Sequence, residues 1–96
     1  MQDLNENPMH DLAQLDAPTI KIENHHYTPE EISVDEGSVI KIVNNDPDEH
    51  TVTARNDEFD VEVEAGSVTE FIPPEKGEYE FYCRYHPEMK GKLIVQ

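Results

Sequence analysis

Short segments of alternating apolar and polar residues, separated by turn-forming residues, constrain the fold of this chain more than any other feature. Ile20 and Ile22 alternate with polar neighbours, and so do Ile32 and Val34. Similar β-type segments follow at residues 39–44, 51–53, 61–63, 68–72, 79–83 and 93–95. Turn signals recur about every 8–12 residues, which favours an antiparallel sandwich or barrel. The sequence therefore predicts an all-β domain over residues 19–96.

Residues 1–18 differ from the rest of the chain and are predicted to form an acidic N-terminal tail or extension. All of their charged side chains are acidic. Asn7 and Pro8 suit the cap and the first position of a short helix, on which Leu12 and Leu15 would share a face. A disordered tail fits the composition equally well, and both alternatives stay open. The 96 residues leave room for one domain.

The charge balance limits the possible partners. The chain has 22 acidic against 7 basic residues and a net charge of −15. Nucleic acid is not expected as a partner, because phosphate binding needs a basic surface. A cationic protein partner is compatible with the charge, although acidity can also serve solubility alone. A run of about 18 apolar residues is absent from the sequence, so no membrane span is predicted.

The stretch from Cys83 to Lys92 carries the chemistry. Cys83 is the one cysteine, so an internal disulfide is excluded. A thiol at Cys83, an imidazole at His86 and a thioether at Met89 follow one another at intervals of three residues. Pro87 and Gly91 keep this segment from forming a regular helix. One short loop can therefore gather three metal-binding atoms.

His50 is predicted to complete the set. It precedes the strand at 51–54 and follows a turn-rich segment at 44–49. Neighbouring strand ends of a sandwich meet at one pole, so His50 can reach the loop that holds Cys83. Two histidines, one cysteine and a weak axial methionine are the ligands of electron-transfer copper sites. We therefore predict one copper bound by His50, Cys83, His86 and Met89.

Three weaker interpretations remain beside this one. Glu88 could replace Met89 as an oxygen ligand. His25 and His26, together with His10, could form a second metal site. Adjacent histidines of a strand point to opposite faces, so they are predicted to be solvated. Arg84, Lys90 and Lys92 could form a positive collar around the site, and ordinary solvated loop charges are the preferred alternative.

These residues resemble the cupredoxins, the type 1 blue copper proteins, and most closely the amicyanin type. The similarity lies in the strand Gly77-Glu78-Tyr79-Glu80-Phe81-Tyr82-Cys83 and in the loop His86-Pro87-Glu88-Met89-Lys90-Gly91-Lys92. The residue after the first histidine is commonly Asn in that family, and it is Thr51 here. The Thr51 hydroxyl is expected to bond the backbone of the cysteine loop instead.

The resemblance implies a Greek-key β-sandwich of about eight strands that carries single electrons between redox partners and is not an enzyme. It implies His50, Cys83 and His86 as close copper ligands, Met89 as the distant axial ligand, and partner docking near His86. A monomer in the periplasm or outside the cell is expected. The alternatives are a module that passes on the copper itself, and a metal-free interaction domain.

Overall fold

The computed structural model describes residues 17–96. The short helix considered for residues 7–15 lies outside this part of the chain. The described residues form nine strands: β1 Thr19–Glu23, β2 His26–Thr28, β3 Glu31–Val34, β4 Ile40–Asn44, β5 His50–Ala54, β6 Asp60–Val63, β7 Val68–Phe71, β8 Gly77–Tyr82 and β9 Lys90–Val95. Between residues 17 and 96 there is no helix long and apolar enough to cross a membrane.

The strands form two sheets, and the predicted all-β sandwich is confirmed. One sheet has the order β2-β1-β4-β7, and the other has the order β3-β9-β8-β5-β6. Most neighbours are antiparallel, but β1 pairs with β4 in parallel and β3 pairs with β9 in parallel. The strand beyond the expected eight is β2, which spans three residues and follows β1 after a two-residue turn.

The core lies between the sheets and is built by the alternation seen in the sequence. Ile20 and Ile22 of β1, together with Ile40 and Ile42 of β4, are fully buried, while their neighbours in the strands are partly or fully exposed. Burial of each such side chain contributes about 1.5–3 kcal/mol. Phe81 is the largest fully buried side chain and packs edge-on against Tyr27, with 4.9 Å between ring centroids.

Strand β5 is buried on both faces, which the sequence alternation does not predict. Its inner face joins the core through Val52. Its outer face is covered by polar contacts. The Thr53 hydroxyl donates to Asp60 at 2.7 Å, and the Thr51 hydroxyl accepts the Arg84 backbone N–H at 2.9 Å. The beginning of β5 is therefore held between the chain that leaves β8 and the edge strand β6.

The end of the sandwich where β5 begins also receives the loop between β8 and β9. Tyr82 at the end of β8 pairs with Lys90 at the start of β9, so residues 83–89 form the connection at that edge. The β1–β2 turn reaches the same place, because Asn45 donates its N–H to the Ile22 carbonyl at 2.9 Å. We call this end of the molecule the metal pole, defined by residues 24–25, 45–50 and 83–89.

Candidate metal centre

The loop from Cys83 to Met89 is closed by its own backbone. The His86 N–H donates to the Cys83 carbonyl at 3.2 Å, and the Met89 N–H donates to the His86 carbonyl at 2.8 Å. The Cys83 N–H then donates to the Met89 carbonyl at 3.2 Å. Two successive four-residue turns, which share His86, thus bring the cysteine, histidine and methionine of the C-x-x-H-x-x-M motif back to one place.

His50 approaches this loop from the first position of β5. Its ring is fully buried, and its Nδ1 lies 3.7 Å from the sulfur of Cys83. The Nδ1 of His86 lies 3.7 Å from the same sulfur. The Cys83 thiol is also fully buried, and the Thr51 backbone N–H points to its sulfur at 3.4 Å. The structure therefore places one thiol between two imidazole nitrogens, away from solvent.

These distances suit a single shared cation. Metal–sulfur and metal–nitrogen bonds of about 2.3 and 2.0–2.1 Å, as measured for zinc, place sulfur and nitrogen about 3.6–3.8 Å apart at angles of 110–120°. Both observed separations from the Cys83 sulfur are 3.7 Å. Soft sulfur together with imidazole is the donor combination that suits copper. The buried cluster therefore fits one copper ion.

Met89 lies at the end of the loop with 3% of its surface exposed, and it belongs to the same buried cluster as Cys83. Its neighbour Glu88 is exposed. The interior position of the thioether and the exposed position of the carboxylate favour Met89 over Glu88 as the donor from this part of the loop.

The predicted hydrogen bond of Thr51 is present. The Thr51 hydroxyl accepts the N–H of Arg84, the residue that follows Cys83, at 2.9 Å. Tyr27 fixes the same residue from the core side, because its hydroxyl donates to the Thr51 carbonyl at 2.5 Å. Burial, followed by the nearby Cys83 side chain, raises the Tyr27 pKa far above its ordinary value. The backbone that faces the sulfur is therefore anchored on both sides.

Asp46 is a functional residue that the sequence analysis missed. Its carboxylate is 7% exposed, and its Oδ2 lies 2.8 Å from Nε2 of His50. It also accepts the backbone N–H groups of Asn24 at 2.6 Å and His25 at 2.9 Å. Burial would raise the carboxyl pKa, but the hydrogen bonds from these N–H groups and from the His50 ring outweigh it and lower the pKa.

The contact between Asp46 and His50 fixes the orientation of the His50 ring. An ionised carboxylate only accepts hydrogen bonds, so in the neutral ring Nε2 carries the proton and Nδ1 has its lone pair on the side of Cys83. Histidines that bind metals typically donate their second ring nitrogen in this way. A sequence signal for this arrangement exists in hindsight, because Asp46 stands four residues before His50 in a turn beside Pro47.

His25 and His26, which were predicted to be solvated, differ in their surroundings, and His10 lies outside the described residues. His26 begins β2 and is exposed, but His25 lies in the preceding turn with its side chain 41% exposed. The His25 ring lies 4.2 Å from the His86 ring and 5.1 Å from the His50 ring, measured between centroids. The side chains of His25 and His26 point in different directions, and the His25 side chain lies at the metal pole.

The basic residues near the site are largely neutralised by ion pairs. Arg84 bonds Asp60 at 3.0 Å and Glu62 at 2.9 Å, and Lys92 bonds Glu78 at 3.2 Å. The hydrogen bonds to Glu62 and Asp60 raise the Arg84 pKa. Arg84 and Lys92 therefore do not form a continuous positive collar, which agrees with the preferred interpretation of ordinary loop charges.

Comparisons with known proteins agree with this fold. The model of the cupredoxin-like domain family matches residues 6–95. Amicyanin from Paracoccus versutus shares 25% identity with this chain, with a TM-score of 0.73 and coverage of 84% of this chain and 82% of the other. An amicyanin variant in its reduced Cu(I) form shares 24% identity, with a TM-score of 0.72 and coverage of 84% and 83%.

A purple cupredoxin from Nitrosopumilus maritimus shares 22% identity with a TM-score of 0.72, and the alignment covers 82% of this chain and 99% of that one. A search of curated proteins finds no match by sequence. Because the family model spans most of the sequence, the chain belongs to the cupredoxin-like domain family.

Proposed function

We propose that this protein is a type 1 copper protein that carries single electrons between redox partners. His50, Cys83 and His86 are the close ligands, and Met89 is the axial ligand. The observation that supports this most directly is the position of the Cys83 sulfur, 3.7 Å from Nδ1 of each histidine. Copper held there supplies one-electron chemistry by alternating between Cu(I) and Cu(II).

The residues around the ligands favour a fixed geometry, which is what an electron carrier needs. Asp46 holds the His50 ring, and the Thr51 N–H faces the Cys83 sulfur. The loop that carries His86 and Met89 is closed by backbone hydrogen bonds. A site whose ligands are held by their own rotamers and hydrogen bonds changes little between two states of charge, so little energy is lost to rearrangement.

His86 is the ligand closest to a docking partner in this proposal. His50, Cys83 and Met89 are buried, whereas His86 is half-buried, and its neighbour Tyr85 is 45% exposed. Carboxylates around the pole include Asp48, which is 55% exposed, and Glu62, which is 54% exposed. With the net charge of −15, this surface suits a partner with a basic patch.

Reconstitution with Cu(II) tests the proposed function. We expect an intense visible band from the thiolate of Cys83, reversible loss of the band on reduction by one electron, and an EPR signal from one copper per chain. Cys83→Ser is expected to abolish the band, and His26→Ala, at an exposed position in β2, is the matched control that keeps it. A stoichiometric Cu(II) complex without visible absorption would contradict the proposal.

Exchange kinetics separate the electron carrier from a module that passes on the metal. Because the ligands are buried, we expect a chelator to remove copper slowly, and we expect the copper to stay bound through many redox cycles. Rapid loss of copper at low chelator concentration, with the thiolate band present at first, would favour transfer of the metal itself. We also propose that the protein is a monomer located in the periplasm or outside the cell, which the cupredoxin family membership supports. Fractionation of the native cell tests the location, and gel filtration tests the oligomeric state.

A further inference from the structure

A third imidazole lies at the metal pole beside those of His50 and His86. Each of the three histidines, His25, His50 and His86, offers a ring nitrogen within 4.8 Å of the others. The His25 ring meets the His50 ring edge-on at 81° and is tilted by 46° against the His86 ring. The His25 ring is therefore in contact with the rings of both proposed imidazole ligands, although His25 is far from them in sequence.

The backbone brings His25 there at a conformational cost. Asn24 and His25 have φ angles of 53° and 62°, in the left-handed region that side chains other than glycine rarely adopt. Their N–H groups both donate to the Asp46 carboxylate, at 2.6 and 2.9 Å. The residue that holds the His50 ring thus also holds the turn that presents His25. This shared anchor fixes the His25 backbone relative to the copper ligands.

Asp48 orients the His25 ring. Its Oδ2 lies 3.1 Å from Nε2 of His25, and a carboxylate accepts hydrogen bonds without donating them. In the neutral ring the proton is therefore on Nε2, which leaves Nδ1 of His25 with a lone pair. Asp46 and His50 have the same arrangement, with a carboxylate on Nε2. Metal-binding histidines commonly have such a carboxylate partner.

We propose that His25 is a third imidazole donor to the copper held by His50, Cys83 and His86, which rests on the function proposed above. Bonds of about 2.0–2.1 Å place two nitrogens of a tetrahedral site about 3.4 Å apart. The three ring nitrogens lie within 4.8 Å of one another, so the His25 ring must move inward to reach that separation. The His25 ring, which is 41% exposed, has that freedom.

His25 and Met89 line the same cleft of 180 Å³. The thioether and the additional imidazole thus reach the pole from neighbouring positions. An additional imidazole beside the thiolate and the weak axial thioether gives more weight to the harder donor, which favours Cu(II) over Cu(I). His25 therefore lowers the reduction potential relative to a site with two imidazoles.

Three variants test the assignment. His25→Ala removes the donor, Asp48→Asn weakens the orientation of its ring, and His26→Ala removes the adjacent, exposed imidazole as the matched control. In the Cu(II) protein, electron-nuclear double resonance is expected to detect three coupled imidazole nitrogens in the unmodified chain and in His26→Ala. It should detect two in His25→Ala.

The Cu(II) affinity provides a second measurement, made by competition with a chelator of known affinity. His25→Ala is expected to bind Cu(II) at least about tenfold more weakly than His26→Ala, and Asp48→Asn should lie between them. The Cu(I) affinity should change less, so the reduction potential of His25→Ala should rise.

The outcome for His25 is separable from the outcome for the proposed function. If the unmodified chain shows the thiolate band, and His25→Ala has the same nitrogen couplings, Cu(II) affinity and potential as His26→Ala, the third donor is refuted while the copper function stands. If the unmodified chain shows no thiolate band, the proposed function fails, and the nitrogen couplings of His25→Ala still decide whether His25 binds the metal.

Discussion

Substitution of Asp46 by Asn tests how much of the metal pole depends on one buried carboxylate. The carboxylate accepts hydrogen bonds from the Asn24 N–H, the His25 N–H and Nε2 of His50. An amide has a single oxygen, so its NH₂ group must face at least one of these donors. The variant keeps the shape of the side chain and loses both an acceptor and a charge.

The size of the effect follows from these contacts. A buried donor left without its acceptor costs about 1–3 kcal/mol, and a domain of this size loses about 4–8 °C in Tm per kcal/mol. Loss of a carboxylate that holds a ligating histidine weakens metal binding about 10- to 100-fold. Removal of a negative charge beside the copper disfavours Cu(II), so the reduction potential of Asp46→Asn should rise.

The assay compares Asp46→Asn with Asp35→Asn, because Asp35 is exposed in the turn after β3 and the two variants carry the same net charge. Thermal unfolding of the apoproteins measures the structural cost, and chelator competition and voltammetry measure copper affinity and potential. We expect changes in all three for Asp46→Asn and in none for Asp35→Asn. Equal Tm, affinity and potential in the two variants would refute the role assigned to Asp46.

Three further changes probe other parts of the structure. A Cβ at Gly91 would lie 2.5 Å from the Phe81 ring and 2.7 Å from the Glu30 carbonyl. Gly91→Ala should therefore lower the free energy of unfolding, measured in urea, by about 1–3 kcal/mol. An unchanged urea midpoint would contradict this packing. The Thr53 hydroxyl, and then Arg84, hold the Asp60 pKa below its ordinary value of 3.8 despite partial burial. The stability that Asp60 contributes is therefore complete above that value and is lost as the pH falls through the folded-state pKa. The urea midpoints of the unmodified chain and Asp60→Asn should converge from pH 6 to pH 3. A constant gap between the two midpoints would contradict this contribution of Asp60. Copper at a hundred times its Kd should stabilise the apoprotein by about 2.7 kcal/mol, and a chelator should reverse the increase in Tm; a Tm unaffected by copper would exclude binding to the folded state.

The sequence predicts the sandwich well because each strand has a local signal. Ile20 and Ile22 alternate with polar residues, and the structure buries both in β1. The loop from Cys83 to Met89 is equally local, since its closing hydrogen bonds join residues at most six positions apart. Local patterns do not encode which strands pair, so the parallel pairing of β1 with β4 could not be predicted from alternation.

The positions of His25 and Asp46 at the metal pole could not be predicted for a related reason. The direction of the His25 side chain depends on a left-handed φ of 62°, which is stabilised by Asp46, 21 positions away. A rule that assigns alternating faces to adjacent residues applies inside a strand, and His25 precedes β2. Asn24 is the local clue, because Asn tolerates the left-handed region better than most residues do.

The segment Asp46-Pro47-Asp48 connects the metal pole to both sheets. Asp46 holds His50, which begins β5 in the five-stranded sheet, and Asp48 holds His25, which follows β1 in the four-stranded sheet. Metal ligands from His50, Cys83 and the 83–89 loop alone would tie together strands of one sheet. Asp46 and its hydrogen bonds to the β1–β2 turn connect His50 to the other sheet. Copper binding should therefore stabilise the sandwich as a unit.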